Sequence, residues 1–154
     1  MKTRPLLLLS LRLALGAVFA VSGFQKLASP YQNFAAVIEK FEILKGANAA
    51  LLAQTLPWLE FVGGVFFILG FWELFCLALL WAMNTVFLGV LAWALMRKLP
   101  IDSCGCFGEA VTLSLPKILA LDISLWVFFL IYFFGRGRTR APGLDQIFAT
   151  HASR

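Results

Sequence analysis

Four long apolar runs, separated by short polar stretches, set the layout of this chain. A helix that crosses a bilayer needs about 20 mostly apolar residues. Runs of that kind cover about residues 5–27, 55–71, 74–96 and 115–134. The second and third are nearly continuous and together far too long for one crossing. Gly70-Phe71-Trp72-Glu73 supplies the break. Between the first two runs the pattern changes. Phe34, Val37, Ile38, Phe41 and Leu44 recur at helical spacing, with Glu39, Lys40, Glu42 and Lys45 largely on the other side. This predicts an amphipathic helix over about residues 30–45. Ser29 is its expected cap, Pro30 its first residue, and Gln32 completes a capping box. Two placements suit it, in the lipid interface or packed over the bundle like a helix of a soluble protein. We take the interface.

Composition supports the membrane reading. Of 154 residues, 61% are hydrophobic and only 14% charged, against about 25% charged in an ordinary soluble domain. Mean hydropathy is +0.87. One aqueous core could not hide that much apolar surface, so lipid must serve as part of the solvent. The 16 Phe and 5 Trp suit lipid-facing surfaces and their interfacial belts. The expected fold is an all-α integral membrane protein, a four-transmembrane-helix bundle with an extra amphipathic interfacial helix between spans one and two. It forms a single membrane domain over residues 1–135, followed by a basic, flexible tail over 136–154. Small residues in the first two spans (Gly16, Ala20 and Gly23, then Gly63, Gly64 and Gly70) let helices approach closely.

The net charge of +5 does not point to nucleic acid, because the basic residues sit mostly at helix ends and in the tail. Lys2, Arg4, Arg12 and the tail arginines Arg136, Arg138, Arg140 and Arg154 mark one side of the membrane. Lys26, Lys40, Lys45, Arg97, Lys98 and Lys117 mark the other, a balance of seven to six. The clustered tail arginines decide the orientation: both termini cytoplasmic, with the amphipathic helix and the 97–114 connection outside. The expected location is the bacterial cytoplasmic (inner) membrane, as a multi-pass protein. The first run also resembles a secretory signal, with Lys2, Arg4 and the small-residue stretch Ala20-Val21-Ser22, but Arg12 interrupts it.

Chemistry concentrates at two places. The first is the polar, glycine-rich segment Asp102-Ser103-Cys104-Gly105-Cys106-Phe107-Gly108-Glu109. It holds two of the three cysteines. A disulfide between Cys104 and Cys106 would close a small, strained ring, and strained, exposed disulfides are the oxidising, labile kind. Gly105 and Gly108 relax the turn, and Phe107 lies between the second thiol and Gly108. Outside the cytoplasm such a pair can cycle. A structural disulfide is the alternative, yet a bond between near neighbours constrains the unfolded chain little. No metal site is expected, since zinc normally takes four ligands and the chain offers three Cys and a distant His151. Cys76, at the opposite membrane face, reads as a small buried hydrophobe.

The second place is a set of charges within the apolar runs. Lys26 ends the first span, Glu60 lies one turn past Pro57, and Asp122 stands about six residues into the fourth. Intramembrane charges are costly and usually paired, so Lys26 with Glu60 or Asp122 is the natural constellation, as a clamp or a proton-transfer group. Arg12 and Glu73 are a second candidate pair. Asn84 and Thr85, mid-membrane, suit interhelical hydrogen bonds. The aromatic-rich groove between spans admits a quinone as candidate cofactor, with no residue specific to it.

Ser22-Gly23-Phe24-Gln25-Lys26-Leu27, then Pro57-Trp58-Leu59-Glu60 with Gly63 and Gly70, then Cys104-Gly105-Cys106-Phe107-Gly108, resemble the DoxX-like superfamily. The branch they match best is the methylamine-utilisation MauE family. The resemblance runs nearly the whole chain through the fourth span. It implies a four-helix membrane protein tied to extracytoplasmic thiol–disulfide chemistry. In the methylamine setting it implies maturation of the disulfide-rich small subunit of methylamine dehydrogenase beside a thioredoxin-like partner. The family usually carries Arg-Asp or Arg-Asn in the fourth span, whereas Leu121 precedes Asp122 here.

The expected function is therefore a membrane thiol–disulfide redox protein with Cys104 and Cys106 as the reacting pair. It would pass electrons between a periplasmic thioredoxin-like protein, or a disulfide-containing client, and a membrane acceptor. The alternatives are a non-enzymatic anchor or assembly subunit of a redox complex, and a small transporter using Lys26, Glu60 and Asp122.

Overall fold

The computed structural model describes residues 3–99 and 115–136. Five helices follow one another: α1 (Thr3–Ala28), α2 (Tyr31–Lys40), α3 (Ala47–Leu69), α4 (Glu73–Met96) and α5 (Leu115–Arg136). All but α2 are long and apolar enough to cross a membrane. Many of their large apolar side chains face outward, as Leu6, Trp58, Val86 and Phe134 do. In water such a surface would be prohibitive, and in lipid it is the expected outer face of a bundle.

Two clusters hold the bundle. One joins α1, α3, α4 and α5 through Leu15, Phe19, Phe67, Leu80, Phe129 and Tyr132. The other joins the C-terminal half of α4 and the start of α5 to Phe41, through Leu91, Ala94 and Ile118. The 99–115 connection therefore leaves and rejoins the bundle at the end where α2 lies.

α1 and α3 run against each other over their whole shared length. Glycine makes that possible. A Cβ on Gly64 would stand 2.6 Å from the Ala20 nitrogen and 2.7 Å from the Gly16 oxygen. A Cβ on Gly23 would stand 2.5 Å from the Phe61 nitrogen. These obstacles are backbone and cannot rotate aside. The packing reading of the small residues holds at both positions.

The α3–α4 turn sits where the sequence places the break. Gly70 ends α3 in the left-handed region at φ 68°. Its N–H donates to the Phe67 carbonyl and the Phe71 N–H to the Phe66 carbonyl, the paired bonds of a Schellman ending. Trp72 then takes φ 47°, an uncommon choice for so large a side chain.

The helix between spans one and two differs from expectation at both ends. Ser29 does not cap it. Pro30 occupies the capping position at φ −57°, ψ 131°, and no side chain caps the helix. An extended proline delays the first helical residue to Tyr31, which moves Gln32 out of capping-box register. The helix also ends at Lys40 rather than near residue 45. Glu42 adopts a left-handed φ of 58°, and the Glu39 carboxylate accepts the Gly46 N–H at 2.8 Å. α3 in turn starts at Ala47, well before the apolar run begins, because Ala47–Ala53 is alanine-rich and a good helix former.

Candidate functional site

Lys26 lies on the last turn of α1, and α3 brings Glu60 opposite it. The Lys26 Nζ donates to both Glu60 carboxylate oxygens, at 2.8 and 2.7 Å. Both side chains are buried. Ser22, one turn earlier on α1, donates its hydroxyl to the same carboxylate at 3.4 Å. The Lys26 ammonium also stands 5.0 Å from the centre of the Phe34 ring on α2. Gly23 sets this geometry, since only a residue without a side chain lets α1 sit this close to Pro57, Glu60 and Phe61.

Asp122 is buried on α5, and its partner is Asn84 on α4, a pairing that the apolar pattern of the two spans does not predict. The Asn84 Nδ2 donates to Asp122 Oδ1 at 3.4 Å. Asn84 Oδ1 and Asp122 Oδ2 have no hydrogen-bond partner among the described residues. Of the two carboxylates offered to Lys26, the structure gives it Glu60. Asp122 instead ties α5 to α4, on an amide that needs no arginine before the aspartate. The hydropathy pattern could flag Asn84 as a polar residue in mid-span, but not the helix it faces.

These residues form one end of a cavity of about 370 Å³. Ser22, Lys26, Glu60, Asn84 and Asp122 are its polar lining. The rest is apolar. The inward face of α2, with Phe34, Val37 and Ile38, and Phe41 just after it contribute one wall. Leu52 and Leu56 of α3 face Met83, Val86 and Phe87 of α4 across the others. Val86, one of the residues lining it, is 68% exposed, so the cavity wall reaches the outer surface of the bundle at α4.

A second buried cluster occupies the opposite end. Glu73 meets Arg12 at 3.7 Å and Arg136 at 3.2 Å. Tyr132 donates its hydroxyl to Glu73 at 2.8 Å. The Arg12–Glu73 pair is as the sequence suggests, while Tyr132 and Arg136 are additions from α5. Thr85 accepts a hydrogen bond from the Trp126 indole at 3.1 Å, linking α4 with α5. Cys76 is buried beside this cluster with its thiol donating to the Phe71 carbonyl at 3.5 Å. Among the described residues no group of His, Cys, Asp and Glu side chains could hold a metal ion. Cys104, Gly105, Cys106, Phe107 and Gly108 lie outside the described residues, as does the tail.

Comparison with curated proteins and with solved structures found no match. One family profile does match, described as methylamine utilisation protein MauE, and it takes in residues 4–135. That stretch covers all four long helices and the cysteine-bearing connection, so the chain belongs to the MauE family, a family of membrane proteins of methylamine utilisation.

Proposed function

We propose that this protein is a thiol–disulfide relay in the membrane, with Cys104 and Cys106 as the reacting pair. In the oxidised state the pair accepts two electrons from two thiols of an extracytoplasmic client or thioredoxin-like partner. One client thiolate attacks a sulfur of the pair, a mixed disulfide forms, and the second client thiolate releases it. The client leaves with a disulfide and the loop with two thiols. Transfer of two electrons and two protons to a membrane acceptor restores the pair. In this reading Gly105, Phe107 and Gly108 are the supporting residues of the pair. The location that goes with this reading is the bacterial inner membrane, with both termini cytoplasmic and α2 in the outer interface.

The observation that carries the reading is topological. α4 ends and α5 begins at the same end of the bundle as α2, where Leu91, Ala94 and Ile118 pack with Phe41. The connection that bears the two thiols therefore starts and finishes at the α2 end of the bundle, the end towards which the Lys26–Glu60 pair lies on α1 and α3. The methylamine-utilisation family and the wider DoxX-like likeness of Ser22–Leu27 and Pro57–Glu60 point the same way.

The test is trapping. Cys106→Ser protein in native membranes, analysed on non-reducing gels, should carry a partner on Cys104 that dithiothreitol removes. Alkylation across glutathione buffers should place the wild-type pair above about −300 mV, the range below which structural disulfides lie. A potential well below that value, with no trapped partner, would replace the relay by a membrane anchor with a structural disulfide.

A further inference from the structure

The cavity beneath α2 has a use that does not depend on the thiols. Three of its properties restrict what can fill it. One of its lining residues, Val86, is exposed on the outer surface of α4, a membrane-length helix, so the way in is from the membrane side of the bundle. Its walls are apolar, with Phe19, Phe34, Phe41 and Phe87 among them, so most of the occupant is apolar too. Its polar end carries one ammonium against two carboxyl groups, and Glu60 already holds that ammonium through two hydrogen bonds.

The third property excludes anionic heads. A fatty-acid carboxylate or a phospholipid phosphate would meet Glu60 and Asp122, and no cation lining the cavity among the described residues is left to receive it. What the site offers is acceptors. The Asn84 amide turns its Nδ2 towards Asp122, which leaves Oδ1 without a partner. Asp122 Oδ2 is likewise without a partner among the described residues. Asn84 and Asp122 are 3% and 6% exposed, so both oxygens are buried away from the outer surface. Buried acceptors that lack donors are costly, and a bound donor recovers that cost.

We propose that this cleft binds a neutral, lipid-borne molecule with a hydroxyl-bearing ring, the chemistry of a reduced membrane quinone. The ring lies between α3 and α4 against the phenylalanines. Its hydroxyls donate to the oxygens of Asn84 and Asp122, and its tail leaves past Val86 into lipid. The apolar face of α2 covers the ring from the bundle end.

The test uses the full chain in phosphatidylcholine nanodiscs free of quinone. The probes are a short-tailed benzoquinol kept reduced under anaerobic conditions and its dimethyl ether, which has the same shape and no donors. Oleate and dodecylamine represent anionic and cationic heads. Binding is read by tryptophan fluorescence and by the shift in Tm. The quinol should bind saturably, about tenfold more tightly than its ether, the value of about one buried hydrogen bond. Asn84→Leu should remove most of that difference. Val86→Trp, which plugs the mouth from its exposed side, should abolish saturable binding while leaving the polar end intact. The Cys104→Ser, Cys106→Ser double variant should bind as wild type does, so failure of the relay reading would leave this result standing. Equal affinity for quinol and ether would overturn the proposal. So would tighter binding of oleate or dodecylamine, or quinol binding that Val86→Trp leaves unchanged.

Discussion

Lys26 and Glu60 show how one pair of side chains can decide the stability of a membrane bundle. Each charge alone is costly in lipid. Together they form two short hydrogen bonds, with Ser22 and the Phe34 ring completing the ammonium and carboxylate shells. Glu60→Gln leaves the ammonium buried against a neutral amide. Loss of one partner of a buried pair costs about 3–5 kcal/mol, so the variant should unfold at a clearly lower temperature in detergent. Lys26→Met combined with Glu60→Gln removes the stranded charge and should recover part of the loss. Additive single effects in that thermal-unfolding cycle would show that the pair is not coupled. The sequence marked Lys26, Glu60 and Asp122 as charges within apolar runs. It could not say which carboxylate the lysine takes, because both fall at similar depth and periodicity carries no information on which helices are neighbours. Asn84 shows the same limit. A polar residue in mid-span was legible, but its partner, 38 positions along the chain, was not.

At the scale of elements, glycine position matters more than glycine number. Gly64 and Gly89 both lie inside long helices. A Cβ on Gly64 runs into the backbone of α1, whereas one on Gly89 meets nothing within 4 Å. Gly64→Ala should therefore separate α1 from α3 and cost about 1–3 kcal/mol, as overpacking of a rigid contact does. Gly89→Ala should be neutral or stabilise by up to about 1 kcal/mol, since alanine is the better helix former. Thermal unfolding of the two variants side by side checks the contrast, and equal losses would mean that the α1–α3 crossing is looser than described. α2 was legible as an amphipathic helix and misjudged at its ends. Its apolar stripe survives in the structure, where Phe34, Val37, Ile38 and Phe41 face the cavity. Its ends depend on backbone angles at Pro30 and Glu42, which capping preferences describe only on average.

For the molecule as a whole, the two buried clusters lie at opposite ends of the bundle, and orientation in the membrane decides which faces the cytoplasm. The expected answer puts Arg12, Glu73 and Arg136 inside, with the tail arginines, and Lys26 and Glu60 outside. A membrane-impermeant maleimide, applied to intact cells after reduction, should then label Cys104 or Cys106 and spare Cys76. Labelling that needs lysis would invert the orientation. The sequence by itself determined that this chain is a set of four membrane-length helices plus one amphipathic segment. Length, hydropathy and the break at Gly70 suffice for that, because lipid obliges each span to satisfy its own backbone hydrogen bonds within a helix. It also determined that α1 and α3 can approach closely, since small residues on both are a local property. Only the tertiary structure decided that α2 roofs a cleft, that Asn84 meets Asp122, and that Tyr132 and Arg136 join Arg12 on Glu73. Each of those depends on the rotation of one helix about its axis relative to another. Packing of whole side-chain surfaces sets that angle, and no single run of sequence encodes it.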